Sequence, residues 1–329
     1  MRPGRTVSTG ATIQIENCLE GGAPDTLAED VRAGLSAERK RLAPKYFYDA
    51  RGSALFDRIT SVPEYYPTRC ERAILNRRAP DLVEGMRELV ELGSGTASKT
   101  RALLYAMAAA GTLDRYVPFD VDESVVKASA EALAELYPGL AVHGVVGDFE
   151  SHLGAIPQGE RRLFAFLGGT VGNFEPEQRA RFLTHVRALL GPSDRLILGT
   201  DLVKDTAMLE AAYDDAGGVT AQFNLNVLRV LNSELGADFD VDAFEHVAVF
   251  VPEHERIEMR LRSVRAQTVS IPGAQITVEF AEGEEMLTEI SSKFTPQRIA
   301  QELTAAGLTL DELITDEQGL FAVCVASPA

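Results

Sequence analysis

Leu89-Val90-Glu91-Leu92-Gly93-Ser94-Gly95-Thr96 is the stretch on which the fold turns. Residues 89–92 have strand character and run into two glycines, and a helical pattern follows over residues 99–110. A strand that ends in a glycine turn and feeds a helix lets the backbone approach a ligand closely at the carboxyl edge of a sheet. Taken alone, such a turn is weak evidence for any particular ligand. The third glycine of the dinucleotide fingerprint G-x-G-x-x-G is replaced here by Ser98, which disfavours a pyrophosphate-binding turn.

Outward from this turn the strand–helix alternation repeats. Apolar stretches at 116–121, 141–146, 163–167 and 196–198 are interleaved with helical patterns at 123–137 and 176–190, joined by short connections. Such alternation predicts a parallel, doubly wound sheet. On the N-terminal side, residues 27–42 space Leu27, Val31, Leu35 and Leu42 in a helical manner ahead of Pro44, and a second short helical pattern runs through Leu55, Phe56 and Ile59 to Pro63. On the C-terminal side, residues 205–235 read as helix. Residues 246–280 read as antiparallel strands with one wet face, broken by Pro252 and Pro272-Gly273. A helix at 296–306 and strands near 308–314 and 320–326 restore the α/β character. The expected architecture is an α/β, Rossmann-like core over residues 67–203 and 293–329. An inserted α+β piece, residues 204–292, is completed by N-terminal helices within residues 23–66. Residues 1–22, rich in Gly, Thr and Ser and lacking the apolar block of a signal peptide, are expected to form a loose arm.

Composition removes several classes of function. Across 329 residues, 32 Lys+Arg stand against 49 Asp+Glu, a formal charge of −17, which argues against a binder of nucleic-acid backbone. No apolar stretch approaches the ~18 residues of a membrane span. Cys18, Cys70 and Cys324 are widely separated, which predicts reduced thiols rather than a disulfide framework or a zinc site. His143, His152, His185, His246 and His254 show no H-x-x-x-H spacing, so no metal is expected. A cytoplasmic monomer is the expectation.

The next two strand ends carry the chemistry. Phe119-Asp120-Val121-Asp122 puts a carboxylate where a ribose diol needs acceptors, and Gly147-Asp148-Phe149 offers a carboxylate to an adenine amine and an aromatic ring to its face. Any one of these acids could equally cap a helix. Three consecutive strand ends of this kind point to an adenosine-type ligand.

At this point the sequence resembles the S-adenosylmethionine site of class I methyltransferases. Longer motifs extend the likeness. Tyr46-Phe47-Tyr48-Asp49, Pro63-Glu64-Tyr65-Tyr66-Pro67-Thr68, Phe166-Leu167-Gly168-Gly169-Thr170-Val171-Gly172-Asn173, Gly199-Thr200-Asp201-Leu202-Val203-Lys204-Asp205 and the run from Glu284 through Glu289 and Ser291 to Phe294 resemble the histidine-specific methyltransferases of ergothioneine biosynthesis. The resemblance implies a class I methyltransferase core that trimethylates the α-amino nitrogen of L-histidine, with S-adenosylmethionine as donor. It implies that Gly93, Lys99, Asp120, Asp148 and Phe149 hold the donor. Asn173 and Tyr65 would hold the carboxylate and amine end of the substrate, with Tyr213 assisting and Tyr48 near the amine. Glu289 and Ser291 would bind the imidazole, and Met259 would pack against it.

The residues also admit plainer readings. Asn173 can be a turn residue before the Glu175-Pro176 helix start, Tyr65 can cover a sheet edge, and Tyr213 can be helix packing. Leu287, Glu289 and Ser291 alternate along one strand face, which acid-rich surroundings could leave solvated, and Lys204 and Lys293 read as surface charges. Two other functions compete with the histidine reading. One is a class I methyltransferase for another small amine or amino acid, and the other is a binding module or NAD-dependent oxidoreductase reusing the glycine turn, against which Ser98 counts.

Overall fold

Strands that are apolar on both faces can be buried only between two helical layers, and the central sheet is built that way. The computed structural model describes residues 12–19, 26–95, 97 and 99–329; Ser98 and the first eleven residues of the expected arm lie outside the described residues. Strand β1 (Thr12–Asn17) precedes helices α1 (Thr26–Leu35), α2 (Ala50–Ile59) and α3 (Tyr66–Leu82). The alternation then runs β2 (Glu88–Leu92), α4 (Arg101–Ala109), β3 (Arg115–Asp120), α5 (Glu123–Leu136), β4 (Ala141–Val146), β5 (Arg162–Phe166), α6 (Pro176–Leu189) and β6 (Arg195–Asp201). Next come α7 (Thr206–Tyr213), α8 (Val219–Leu235) and strands β7 (Phe244–Val251), β8 (Arg256–Ser263), β9 (Gln267–Ile271), β10 (Ile276–Phe280) and β11 (Glu285–Ser292). Helix α9 (Pro296–Ala305) and strands β12 (Leu308–Thr315) and β13 (Phe321–Pro328) close the chain.

The central sheet has the order β1-β4-β3-β2-β5-β6-β13-β12, parallel from β1 to β6, with β13 antiparallel to both its neighbours. The order reverses at β2, whose neighbours are β3 and β5. A crevice therefore opens at the carboxyl ends of these strands, the place where open α/β sheets bind ligands. One face buries Leu89, Tyr116, Leu163 and Ile197 with residues of α3, α4 and α5, and the other buries Val90, Val117, Phe164 and Leu198 with residues of α6 and α9. A third apolar cluster joins Val31, Phe47 and Leu55 to Phe223, Val227, Met259 and Met286, so the N-terminal helices share a core with α8, β8 and β11. The inserted strands form a three-stranded antiparallel sheet, β11-β8-β7, and a separate β9–β10 hairpin. No helix among the described residues is long and apolar enough to cross a membrane.

Two expectations are corrected. The loose arm gives way over Thr12–Asn17 to an edge strand in parallel register with β4, held further by the Asn17 amide donating to Glu123. The helix expected over residues 27–42 stops at Leu35, because the chain doubles back so that the Arg41 carbonyl fills the space beside Gly34 that a Cβ would need. Arg41 and Leu42 then run beside Leu287 of β11.

Candidate active site

The end of β2 is shaped by backbone that only glycine adopts freely: Gly93 has φ +69° and Gly95 φ +47°. A Cβ on Gly93 would meet Phe149 at 3.4 Å, so the turn and this ring approach closely. Phe149 stacks on Phe119 with ring centroids 5.5 Å apart. The Asp120 carboxylate accepts the Gly95 N–H at 2.9 Å and the Asp122 N–H at 3.2 Å, and burial holds its pKa above the usual value against these bonds. A carboxylate has about four acceptor positions, so capacity remains for two hydroxyls. Beside it, the Ser94 hydroxyl is buried without a partner among the described residues. Glycine cradle, spare acceptors and orphaned hydroxyl fit an adenosine-bearing donor. Asp148 also caps its own loop, accepting from the Glu150 and Ser151 N–H groups at 2.9 and 2.8 Å, and it lies 2.8 Å from His152.

A cleft of about 660 Å³, open solvent at its mouth included, lies next to this turn. Tyr48, Tyr65, Asn173, Tyr213, Met259, Glu289 and Ser291 all line it, together with Gly168, Gly169 and Asp201. Their elements come from distant parts of the sequence: the ends of β5 and β6, the start of α3, the end of α7, and the facing strands β8 and β11. Aromatic rings form one continuous wall, with centroid separations of 5.5 Å for Tyr48–Phe223, 6.5 Å for Phe56–Tyr65 and 6.2 Å for Tyr65–Tyr213. Tyr48 stands at the mouth, 43% exposed. Glu71, fully buried on α3, joins cleft and turn: it accepts the Gly168 N–H at 2.7 Å and pairs with Lys99 at 3.2 Å. Sequence reasoning missed Glu71, although its spacing with Pro67, Ile74 and Leu75 puts it on the buried stripe of that helix.

Lys204 and Lys293 are not surface charges. Lys293 has no exposed surface, and its ammonium reaches Asp201 at 2.8 Å, Ser291 at 2.8 Å and Tyr213 at 3.0 Å. Asp201 also accepts from Tyr66 at 2.9 Å and pairs with Lys204. Burial raises the Asp201 pKa, but the two ammonium groups overcome this and hold it below the ordinary range; burial lowers Lys204 to about 8 against the pull of Asp201. The signal for Asp201 was its place at the end of β6, a further strand end carrying an acid.

The face shared by Leu287, Glu289 and Ser291 is also corrected. Leu287 pairs with Arg260 and Glu289 with Met259, leaving Thr288 as an extra residue in a β-bulge. The shift reverses the alternation, so Glu289 and Ser291 face the cleft with Met259 while Leu287 faces away. Thr288 donates to Asn224 at 2.7 Å, and Asn224 in turn meets His246, whose other ring nitrogen lies 2.8 Å from the Tyr213 carbonyl. These contacts seat the bulge and Tyr213 together.

Burial pushes Glu289 up to about 7 despite the opposing field of Lys293, and no hydrogen bond from a described residue reaches its carboxylate. The folded chain therefore holds this proton more tightly than the unfolded chain. Stability that is present below about pH 4.5 is lost as pH rises towards 7. Relative to wild type, Glu289→Gln is expected to gain about 3 kcal/mol across that window and then level off. Urea denaturation at pH 4.5, 6 and 8 checks this, and a pH-independent difference would contradict the buried, unpaired carboxylate.

A parallel sheet with a glycine turn, an acid ending the adjacent strand and a side-chain-lined cleft beside them is the arrangement of the class I S-adenosylmethionine-dependent methyltransferases. The model of the family described as "Histidine-specific methyltransferase, SAM-dependent" matches residues 27–328, and the chain belongs to that family. It is 53% identical over 318 residues to the histidine N-alpha-methyltransferase of Mycolicibacterium smegmatis, covering 96% of this chain and 99% of that one. It is 55% identical over 303 residues to the protein of the same name from Mycobacterium tuberculosis, covering 92% and 94%. Ergothioneine biosynthesis protein 1 of Neurospora crassa is 29% identical over 241 residues, 67% of this chain and 27% of that protein.

Proposed function

We propose that this chain transfers three methyl groups in succession to the α-amino nitrogen of free L-histidine, giving Nα,Nα,Nα-trimethyl-L-histidine (hercynine), the first step of ergothioneine biosynthesis. The reading is carried by one observation: all seven acceptor-side residues anticipated from sequence border a single cleft. The cleft abuts the glycine turn through Glu71 and Lys99. Family membership and the two relatives above 50% identity support it. Three free cysteines, one of them buried, support a reducing, cytoplasmic compartment.

S-adenosylmethionine, when bound, supplies a methyl group already activated on sulfonium. Gly93, Lys99, Asp120, Asp148 and Phe149 would hold it, and residues 67–203 and 293–329 form the donor-binding core in this reading. Residues 23–66 and 204–292 form the histidine-binding part. What remains for the chain is alignment of a neutral amine and exclusion of water. Asn173 and Tyr65 hold the amine and carboxylate end, with Tyr213 beside them. Tyr48, at the half-open mouth, and Asn173 border the amine where its proton leaves. The wall of Tyr48, Phe56, Tyr65 and Phe223 suits a nitrogen that becomes bulkier and finally permanently cationic. Glu289 and Ser291 read the imidazole while Met259 packs on its ring.

The test is mass spectrometry of histidine incubated with enzyme and excess donor. Three added methyls are expected, and a reaction that halts at the monomethyl product refutes the reading. In the same assay Glu289→Ala should raise the KM for histidine at least ~10-fold and narrow the gap between histidine and phenylalanine, leaving donor affinity nearly unchanged. A variant that keeps wild-type KM and rejects phenylalanine as strongly removes Glu289 from the site.

A further inference from the structure

We infer that Lys293 is a positioning residue that makes the Ser291 hydroxyl an obligate hydrogen-bond donor to the ligand, so that the site accepts the histidine side chain only as neutral imidazole in one tautomer. The inference rests on the histidine reading above and follows from counting hydrogens. The Lys293 ammonium has three, and three oxygens surround it: Asp201 Oδ2 at 2.8 Å, Ser291 Oγ at 2.8 Å and Tyr213 Oη at 3.0 Å. Each hydroxyl oxygen therefore already accepts one bond from Lys293. The two hydroxyls lie 2.7 Å apart, so one must donate to the other, which consumes one of their two hydrogens. Among the described residues neither hydroxyl has any further partner, and both border the cleft. One hydrogen is left over, and once a ligand displaces solvent from the cleft that hydrogen must be satisfied on the ligand.

The contact itself has no fixed direction; in the inferred network the phenol, a stronger donor than an aliphatic hydroxyl, gives its hydrogen to Ser291, and Ser291 presents the spare one. Two residues along the same strand face, the Glu289 carboxylate offers only acceptor oxygens when ionised. The pair thus displays a donor and an acceptor side by side. Neutral imidazole matches it with one bare nitrogen towards Ser291 and one N–H towards Glu289. Imidazolium, with hydrogens on both nitrogens, would set an N–H against the Ser291 O–H. Without Lys293 both hydroxyl oxygens would lose a compulsory donor, and Ser291 could turn to accept instead. The charged and titratable groups around Lys293 are Asp201 at the end of β6 and Lys204 just beyond it, Tyr66 on α3, Tyr213 on α7, Glu289 on β11 and, against its backbone carbonyl, Arg298 on α9. Of these, Glu289 and Lys204 titrate nearest neutrality, at about 7 and about 8.

Two measurements test the inference. Histidine labelled with ¹⁵N in the ring, bound to the wild-type enzyme with S-adenosylhomocysteine at pH 7.5, where Glu289 is mainly ionised, should show one protonated and one unprotonated ring nitrogen. Two protonated nitrogens would overturn the inference while leaving histidine as the ligand, whereas failure of labelled histidine to bind would overturn the functional reading beneath it. Calorimetry gives the second test. Wild-type affinity for histidine should fall about tenfold between pH 7.5 and 5.5 as the ring ionises around its ordinary pKa of ~6.5. Triazolylalanine, whose ring stays neutral over this range, reports the share that belongs to Glu289. In Lys293→Met the excess pH dependence of histidine over triazolylalanine should shrink to less than about threefold. An undiminished excess in that variant would mean that Lys293 does not set the donor pattern. The labelled-histidine result stands whether or not the variant folds.

Discussion

Asp201→Asn is expected to lower the unfolding free energy by about 3–5 kcal/mol, because it leaves two buried ammonium groups without their carboxylate. Lys293 has no exposed surface and Lys204 very little, and among the described residues Asp201 is the one acid that both contact. An asparagine keeps the shape and can still accept from Tyr66, so the loss reports charge rather than a cavity. The sign of its pH dependence is a second check. A buried lysine deprived of its partner binds its proton less tightly than the unfolded chain does, so stability rises as pH is raised through the lowered folded pKa. Burial already holds Lys204 at about 8 in the intact trio, and without Asp201 it lies lower still. The deficit of the variant should therefore narrow between pH 7 and 9. Urea denaturation across that range measures it, and a deficit that is small or constant with pH would show that the trio is not electrostatically coupled. Histidine binding should weaken in parallel, since Lys293 loses the contact that holds it against Ser291 and Tyr213.

Asp120→Ala should weaken donor binding by roughly ten- to a hundredfold, read by calorimetry with S-adenosylhomocysteine. Charge-assisted bonds to a ribose diol contribute about 1.5–3 kcal/mol, which converts to that range. The structure adds a second role, because the same carboxylate accepts the N–H groups of Gly95 and Asp122 and so holds the glycine turn in shape. Asp120→Asn separates the two. It retains an acceptor for one turn N–H but loses the charge, so it should fall between wild type and Asp120→Ala. Donor affinity within twofold of wild type in the alanine variant would remove Asp120 from the donor site.

How much of this was legible depended on the range of the interactions involved. The Gly93–Gly95 turn, the acids ending β3 and β4 and the strand–helix alternation are local patterns. Each is dictated by neighbours within a few residues, so the α/β core could be read directly. β1 was missed because its Ile13/Ile15 alternation is short and acquires meaning only from the edge of β4 beside it. Helix α1 was read too long because propensity over residues 36–42 is overruled by pairing with Leu287, which lies far away in the chain.

The same distinction governs the site. From the sequence came the identity of the fold, the glycine turn and acids at the strand ends and, through motif resemblance, the residues that border the cleft. Tertiary structure alone decided what those residues do to one another. A bulge at Thr288 turns Glu289 and Ser291 inward and Leu287 outward, and no spacing rule reveals a register shift. Lys293 and Lys204 carry the composition of surface residues, yet both are buried because Asp201, from another strand, compensates their charge. Burial and electrostatic pairing are properties of position in space, and residues distant in sequence acquire them only when the sheet, the insertion and the N-terminal helices come together.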